Sequence, residues 1–253
     1  MSNDLKGKTS IITGAASGIG KATAVAMSEL GSNIVVVDLS SEQCDETVEI
    51  IRSKGGVAVP CQADVTKEEE VELMIEKTLE TFGQLDVAFN NAGIGGSFKK
   101  TDEYSISEWN QVISVNLTGV WLCMKHQIKE MLKKERGSII NTASVAGLIG
   151  MGSAPAYTAA KHGVIGITKN AAIEYAKKGI RINAICPGLV KTAMTDYAES
   201  QLPGFLEKTT QLEPIGRIAQ PEEMANAVIW LASDSASYVT GHAMAVDGGL
   251  VAQ

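Results

Sequence analysis

A tyrosine and a lysine stand one helical turn apart in the segment SAPAYTAAKHG, at Tyr157 and Lys161. In a helix, residues i and i+4 share one face, so the phenol and the ammonium can point the same way. An ammonium about 5 Å away at an effective dielectric near 20 supplies ~3 kcal/mol of the roughly 4 kcal/mol that ionises a tyrosine near neutrality. The pair therefore predicts a general base toward an alcohol or a general acid toward a ketone.

Two polar residues upstream support this interpretation. Taken alone, YTAAK favours the plainer alternative of a boundary tyrosine beside a solvated lysine. Ser144, however, ends a predicted strand before that helix, where its hydroxyl can donate a hydrogen bond to a carbonyl oxygen. Asn116 lies in SVNLTG, where polar and glycine residues weaken a helical pattern and can free a carbonyl for water. Together these residues predict an acid/base site.

A glycine-rich turn stands at TGAASGIG, Thr13–Gly20, between the first predicted strand and the first predicted helix. Such a turn lets the main chain approach a diphosphate, and the helix N-terminus offers it free N–H groups and a partial positive charge. Gly14, Gly18 and Gly20 depart from the usual G-x-G-x-x-G spacing, so a plain glycine-rich turn is the alternative.

Asp38 favours a dinucleotide over that alternative. It ends the second predicted strand, at the distance from the turn where an acid accepts hydrogen bonds from the ribose hydroxyls of NAD. Its carboxylate would repel the 2′-phosphate of NADP, and Leu39 and Ser40 follow it in place of an arginine. An aspartate capping the next helix is possible in isolation, but Ser40 or Ser41 can serve as that cap. We therefore predict NAD(H) as the cofactor in preference to NADP(H).

Small residues also follow two later strands. NNAG, Asn90–Gly93, ends the fourth predicted strand, and CPG, Cys186–Gly188, ends the sixth. In open α/β sheets, ligands bind beyond the carboxyl ends of the strands. These exits therefore predict one crevice that they share with the glycine turn.

The elements that must position these residues alternate between short β-branched runs and longer helical patterns. The predicted strands are TSIIT, NIVVVD, VAVPCQ, LDVAFN, SIINTAS, IRINAIC and HAMAVD. Near-continuous apolar strands separated by helices predict a doubly wound parallel sheet with helices on both faces, a Rossmann fold in a single α/β domain over residues 1–253. The predicted helices include one opened by Thr66 with Glu69 as a capping box, one over Ser107–Lys134 and one after Pro155.

Composition narrows the class of partner. The chain has 253 residues, 45% of them hydrophobic, and a formal net charge of −7 at pH 7. Negative charge without a clustered basic stretch disfavours nucleic acid and an anionic membrane surface, and favours a small molecule. No apolar run reaches the ~18 residues of a membrane span. The cysteines lack metal-ligand spacing and predict reduced packing residues in a cytoplasmic protein without a metal site; they are Cys44, Cys61, Cys123 and Cys186.

These motifs, in this order over nearly the whole chain, resemble the short-chain dehydrogenase/reductase family in its compact single-domain branch. The matches are TGAASGIG, Asp38, NNAG, Asn116, Ser144, YTAAK, PG followed by Thr192, and the ending GRIAQPEEMANAVIWLASDSASYVTGHAMAVDGG. The resemblance implies that Tyr157 is the acid/base and that Lys161 lowers its pKa and holds the nicotinamide ribose. It further implies that Ser144 orients the substrate oxygen and that Asn116 holds a water in a proton relay.

The resemblance also implies a cofactor groove and an assembly. The implied groove has Gly14, Ser17, Ile19 and Gly20 at the diphosphate, Asp38 at the adenosine ribose, Asp64 and Val65 at the adenine, Asn91, Ala92 and Gly93 at the middle, and Thr192 at the carboxamide, together with Gly18, Leu39, Tyr157, Lys161, Pro187, Gly188 and Val190. Family members usually form tetramers, which implies a homotetramer through the helices corresponding to Ser107–Lys134 and Pro155–Lys177.

The predicted substrate is a neutral, modest-sized secondary alcohol or ketone. The loop-rich stretch Pro187–Gln220 is interpreted as a substrate lid. Mostly apolar residues flank the predicted site, namely Ile94, Leu148, Met151, Met194 and Tyr197. Alternatives are a carrier-protein-bound 3-oxoacyl group, whose usual NADPH preference fits Asp38 poorly, a sugar such as glucose, and a steroid. A non-catalytic dinucleotide sensor on this fold would tend to lose Tyr157 or Lys161, and both are present.

Overall fold

Short runs rich in β-branched residues form one parallel sheet in a computed structural model that describes residues 5–253. The strands are β1 (Thr9–Thr13), β2 (Asn33–Asp38), β3 (Val57–Gln62), β4 (Val87–Asn90), β5 (Gly137–Thr142), β6 (Ile180–Pro187) and β7 (Ala243–Val246). Their order across the sheet is β3-β2-β1-β4-β5-β6-β7, and each neighbouring pair is parallel. Strands β2 and β3 lie on one side of β1, and β4 to β7 lie on the other side. Open α/β sheets leave a ligand crevice where the strand order reverses in this way, here between β1 and β4.

Helices connect successive strands. They are α1 (Gly18–Glu29), α2 (Ser41–Ser53), α3 (Glu68–Phe82), α4 (Ile106–Ile113), α5 (Gly119–Met131), α6 (Pro155–Tyr175), α7 (Ala193–Gln201), α8 (Phe205–Leu212) and α9 (Pro221–Ala232). As predicted, Ser40 caps α2, because its side chain accepts a hydrogen bond from the main-chain N–H of Gln43 at 3.3 Å. Across residues 5–253, no helix combines the length and the apolar character needed to cross a membrane.

Successive strand residues pack into cores on opposite faces of the sheet. On β1, Ile11 belongs to the core that includes Val71 of α3, Leu122 of α5 and Val164 of α6. Its neighbour Ile12 belongs to the core that includes Met27 of α1, Val48 of α2 and Val228 of α9. Because both faces are covered, every residue of the central strands β1, β4 and β5 is buried. The predicted doubly wound fold is confirmed.

The predicted capping box at Thr66 is wrong. Helix α3 begins at Glu68, and Lys67 is its N-cap residue. The hydroxyl and the main-chain N–H of Thr66 instead donate to Asp64 Oδ1, at 2.7 and 2.9 Å. Both groups of Thr66 thus bond to a carboxylate two residues away, an arrangement that holds the side chain in a turn before the helix.

The long helix predicted over Ser107–Lys134 is divided. Helix α4 runs into a π-helical turn at Ser114–Thr118, and α5 follows without a gap. The turn occupies the SVNLT stretch whose composition weakens an ordinary helix. Turns of this kind are frequent at functional sites because the wider backbone redirects a side chain.

The predicted lid stretch, Pro187–Gln220, contains two helices, α7 and α8, where the sequence favoured loop. Its two ends meet, because the N–H of Lys191 donates to Ala219 O at 2.9 Å and the N–H of Ala219 donates to Leu189 O at 3.0 Å. The segment therefore leaves the end of β6 and returns to its own base.

The cysteines pack in the interior, as predicted. Cys44, Cys61, Cys123 and Cys186 are buried and carry free thiols. Burial raises the pKa of the Cys44 and Cys186 thiols to about 11 and that of Cys123 to about 12. These thiols therefore stay protonated near neutral pH.

Candidate active site

The carboxyl ends of the strands open into a cleft of about 720 Å³. Most residues predicted for the site line this cleft. They are Gly14, Ser17, Gly18, Ile19, Asp38, Leu39, Asp64, Val65, Asn91, Ala92, Gly93, Ser144, Tyr157, Lys161, Pro187, Gly188, Val190 and Thr192. The parallel topology explains this convergence, since it sends every strand exit to the same edge of the sheet.

Tyr157 and Lys161 lie on the first two turns of α6, with Pro155 at its start. The Lys161 Nζ lies over the Tyr157 ring, 5.4 Å from the ring centroid. The Lys161 side chain is almost fully buried, and its Nζ donates to the main-chain oxygen of Thr142 at 2.8 Å. The buried ammonium is thus held between the end of β5 and the tyrosine.

The pKa of Tyr157 differs in direction from the expectation. Burial raises the pKa of the phenol, and a hydrogen bond with the Ser144 hydroxyl offsets this only in part. The net rise reflects the cost of burying a phenolate, and the lowering expected from Lys161 stays a prediction. Burial also lowers the pKa of the Lys161 ammonium to about 8.

Ser144 is held beside the tyrosine by a tight turn. Its side chain is nearly buried and accepts a hydrogen bond from the N–H of Ala146 at 3.1 Å, which caps the single 3₁₀ turn Val145–Gly147. Gly147 lets this turn lie directly on α6, because a Cβ there would stand 2.6 Å from the main-chain oxygen of Lys161. The hydroxyl can therefore reach both the phenol and an oxygen bound in the cleft.

Asn116 lies behind the cleft and does not line it. It is fully buried in the π-helical turn. Its side-chain amide forms hydrogen bonds with both the main-chain N–H and the main-chain oxygen of Ile94. Its Nδ2 donates to Ile94 O at 2.8 Å, and its Oδ1 accepts from the Ile94 N–H at 3.0 Å. The side chain therefore positions the segment after β4, and the predicted role of Asn116 in holding a water stays a prediction.

The glycine turn forms a cradle that fits a diphosphate. Gly14 and Gly18 have positive φ angles of 65° and 51°, which glycine adopts without strain. A Cβ on Gly20 would run into the main-chain oxygen of Gly14 and lie 2.7 Å from Asn91 Nδ2. Ser17 forms no side-chain cap on α1, so the first amides of the helix stay available to an anion. Gly20 therefore packs beneath the cradle instead of lining the cleft.

Asn91 ties three strand exits together. Its Nδ2 donates to Thr13 O and Gly14 O, both at 3.2 Å, and its Oδ1 accepts from the Thr142 hydroxyl at 3.3 Å. The Thr13 hydroxyl in turn accepts from the N–H groups of Asn91 and Ala92 at 3.0 and 3.1 Å. The floor of the cleft is thus joined across β1, β4 and β5.

Asp38 and Asp64 stand at the opposite end of the cleft from Tyr157. Asp38 Oδ2 accepts from the N–H of Ala16 at 3.0 Å, and Oδ1 accepts from the N–H of Leu39 at 2.8 Å. These bonds fix the carboxylate at the end of β2 while it still lines the cleft. The Asp38 carboxylate is thus placed where it can accept hydrogen bonds from a ribose diol.

Among residues 5–253, the charged side chains that line the cleft are Asp38, Asp64 and Lys161. Ile94, Met194 and Tyr197 line it as predicted, whereas Leu148 and Met151 do not. The N–H of Leu148 turns back to Val145 O at 2.8 Å, so the segment leaves the cleft at that point. The substrate end is therefore mainly uncharged and apolar.

Several lining residues were missed by sequence reasoning. They are Thr13, Val37, Ala63, Gly95, Gly96, Ser97, Gln111, Val115, Thr142, Ala143, Ala193 and Thr195. The GIGGS run after NNAG was a usable signal, because closely spaced glycines after a strand exit mark a loop that can approach a ligand. Gln111 on α4 and Val115 in the π-helical turn flank this loop, and no pattern in the neighbouring sequence identifies them as lining residues.

The fold and the cleft define a Rossmann-type oxidoreductase, and comparison with known proteins supplies its family. Residues 14–251 match a family model described as enoyl-(acyl carrier protein) reductase. The chain is 45% identical to a cyclohexanol dehydrogenase of Acinetobacter over 98% of this chain and 96% of that protein. It is 43% identical to a 2,5-dichloro-2,5-cyclohexadiene-1,4-diol dehydrogenase of Sphingobium indicum over 99% of each. The chain belongs to the short-chain dehydrogenase/reductase family and is an oxidoreductase acting on CH–OH groups.

Comparison with solved structures supports the same family assignment. The crystal structure of a levodione reductase superposes with a TM-score of 0.95 at 38% identity, over 98% of each chain. A 2-deoxy-D-gluconate 3-dehydrogenase from Agrobacterium tumefaciens with bound NADP superposes at 0.90 and 34% identity, over 99% of each chain. A 3-oxoacyl-[acyl-carrier-protein] reductase of Synechocystis is 42% identical over 98% of this chain and of that protein. Proteins of this fold and family thus bind nicotinamide dinucleotides and act on varied carbonyl compounds.

Proposed function

We propose that the chain is an NAD(H)-dependent dehydrogenase that interconverts a neutral secondary alcohol on a small carbon ring with the corresponding ketone. The observation that carries this proposal is the set Ser144, Tyr157 and Lys161, gathered at the mainly apolar end of the cleft, where Lys161 is the charged side chain among the described lining residues. The ring is suggested by the relatives, which are named for cyclohexanol, a cyclohexadienediol and levodione.

The residues of this chain account for proton movement and orientation. A bound nicotinamide dinucleotide supplies or accepts the hydride. Ser144 donates a hydrogen bond to the substrate oxygen and orients it toward the tyrosine. In ketone reduction, Tyr157 gives its phenol proton to that oxygen, and in alcohol oxidation the phenolate takes the proton back. Lys161, held by Thr142, opposes the cost of the buried phenolate with its positive charge.

NAD(H) is proposed over NADP(H) because of Asp38. Its carboxylate is held at the end of β2 by the N–H groups of Ala16 and Leu39. There it accepts from a ribose diol and repels a phosphate at the same position. The residues next to it in the chain, Leu39 and Ser40, bring no positive charge that would compensate.

A homotetramer through α4, α5 and α6 belongs to the same proposal. Trp121 on α5 is 48% exposed and Ile173 on α6 is 82% exposed. An assembly that pairs these helices would cover both side chains. Sedimentation of the purified protein tests this assembly directly.

Reduction of carrier-bound 3-oxoacyl groups is the second candidate, because a reductase named for that substrate is 42% identical to this chain. Within the described residues, no cationic side chain other than the buried Lys161 lines the cleft. A phosphopantetheine arm would therefore find no ion-pairing partner there. This makes the ring alcohol the better-supported substrate.

The test is NADH formation, followed by absorbance, with cyclohexanol, cyclohexane-1,2-diol, glucose and a 3-hydroxyacyl thioester, each offered with NAD and with NADP. We expect turnover of the ring alcohols with NAD. Tyr157→Phe should lower kcat about a thousandfold, the scale of general acid/base catalysis, while NADH binding stays nearly unchanged. Turnover confined to the thioester would favour the second candidate. NADH binding without turnover of any compound would favour a sensor.

A further inference from the structure

One wall at the substrate end of the cleft is a loop, residues 93–100, that joins β4 to α4. It carries Gly95 and Gly96, and Gly96 has a φ of 75°. Glycines leave a loop many conformations, so its shape must be set by contacts with other segments. Asn116 holds the loop at Ile94. Beyond Gly96 another group has to hold it.

The carboxylate of Glu108 on α4 makes that connection. Its Oε1 accepts from the Ser97 hydroxyl at 2.8 Å and from Lys99 Nζ at 2.6 Å. Its Oε2 accepts from the N–H and the hydroxyl of Ser105, at 3.1 and 2.6 Å, which closes the N-terminal capping box of α4. One side chain therefore joins the start of a helix to the loop that lines the cleft.

Two further contacts fix the loop in the same region. The Tyr104 hydroxyl accepts from the N–H of Ser97 at 3.3 Å. The N–H of Lys99 donates to the main-chain oxygen of Ser153 at 3.0 Å, which ties the loop to the segment just before α6. Four hydrogen bonds, the first from Lys99, hold the pKa of Glu108 at about 2, so its carboxylate stays ionised at ordinary pH.

We propose that Glu108 is a positioning residue for the substrate. Through Ser97 and Lys99 it sets the shape of the loop wall, and thereby the fit of the substrate ring against the nicotinamide end of the cleft. Glu108 does not line the cleft, so it acts through the loop. The inference deepens the proposed function and rests on it.

Glu108→Gln is the first variant. A glutamine keeps one acceptor oxygen, which can serve the helix cap or the loop but not both. We expect KM for the ring alcohol to rise about fivefold, with kcat and the NADH Kd changed less than about twofold, because ground-state positioning is lost and not chemistry. Asp102→Asn is the matched control, since Asp102 is an exposed acid in the neighbouring 3₁₀ turn and its side chain does not bond to Ser97 or Lys99.

Lys99→Met separates positioning from helix capping. Lys99 is partly exposed, lies outside the cleft and makes no contribution to the capping box. We expect it to reproduce the rise in KM without lowering the melting temperature. In the double variant with Glu108→Gln, the two effects on KM should be less than additive, because both break the same connection.

Hydrogen exchange of the peptide spanning residues 91–104, measured without substrate, supplies a readout that does not depend on turnover. We expect faster exchange in Glu108→Gln and Lys99→Met than in the wild type and Asp102→Asn. Unchanged exchange would overturn the proposal, and so would faster exchange with an unchanged KM. If the wild type oxidises no alcohol, the proposed function fails. Faster exchange would then mark Glu108 as a structural brace for the loop, without a role in substrate positioning.

Discussion

The two ends of the cleft are built differently. The cofactor end consists of strand exits and a glycine turn joined by buried hydrogen bonds, such as those of Asn91 to Thr13 and Gly14. The substrate end consists of the loop after β4, Ser144 at the end of β5, the start of α6 and helix α7. There Met194 is 39% exposed and Tyr197 is 55% exposed.

At the substrate end, the segments outside the sheet meet through contacts with one another. The loop after β4 meets the segment before α6 through the Lys99–Ser153 hydrogen bond, and it meets α8 through a contact of the Phe98 and Phe205 rings, 5.9 Å between centroids. The comparison indicates that the proposed cofactor site is fixed by the sheet, whereas the proposed substrate site is formed by side chains on loops and helices outside the sheet. Changes at one end should therefore leave the other end largely unaffected.

Gly20→Ala should produce the largest effect. The added Cβ would collide with the main chain of Gly14, so the phosphate cradle must open. We expect the NADH Kd, measured by NADH fluorescence, to rise roughly a hundredfold, while the substrate KM at saturating cofactor changes little. If the NADH Kd and the substrate KM rose by the same factor, the two ends of the cleft would not be independent.

Gly166→Ala is the matched control for this variant. It lies on α6, and a Cβ there would meet nothing within 4 Å. We expect it to leave the NADH Kd unchanged and to raise the melting temperature slightly, because alanine favours a helix over glycine.

Asp38→Ala should act more moderately and only on cofactor choice. Losing a charged acceptor for the ribose costs NAD affinity, and losing its negative charge relieves repulsion of the 2′-phosphate. We expect the ratio of kcat/KM for NAD over NADP to fall about thirtyfold, the scale of a hydrogen bond to a charged group. Asp45→Ala, at an exposed position on α2, is the control. An unchanged ratio would remove Asp38 from this role.

The pH dependence of ketone reduction should give the smallest effect, and it concerns Lys161, which lies where the two ends meet. The pKa of its ammonium is lowered to about 8 by burial, so the charge is present below that pH and lost above it. The pKa of Tyr157 is raised, so the phenol stays protonated through the same range. We expect kcat/KM for reduction to be level below pH 8 and to fall about tenfold by pH 9.

Lys161→Met provides the comparison for the pH profile. Without the ammonium, the rate should be lower throughout and should show no break near pH 8. A break of the same size in this variant would assign the titration to another group. A wild-type profile that stays level to pH 10 would show that the charge on Lys161 does not limit reduction.

Much of the architecture follows from local patterns in the chain. Apolar runs such as IIT and IVVV, each followed by a turn and a helix, predict a parallel sheet, because such strands must be covered on both faces. The sequence also allowed several site features to be predicted: the glycine turn, Asp38 and the four-residue spacing of Tyr157 and Lys161. Each of them depends on neighbouring residues or on its position at the end of a strand. Their convergence in one cleft follows from the parallel topology.

Other features depend on residues distant in the chain and came from the tertiary structure. Some local contacts were missed as well, such as the bond of Thr66 to Asp64, because the sequence offers several acceptors and the folded backbone selects one. The raised pKa of Tyr157 reflects burial, which no spacing reports. The link from Glu108 to Ser97 joins a helix cap to a loop eleven positions away. Local propensity depends on neighbouring residues in the sequence. Burial and competition among hydrogen-bond partners arise only when distant segments pack together.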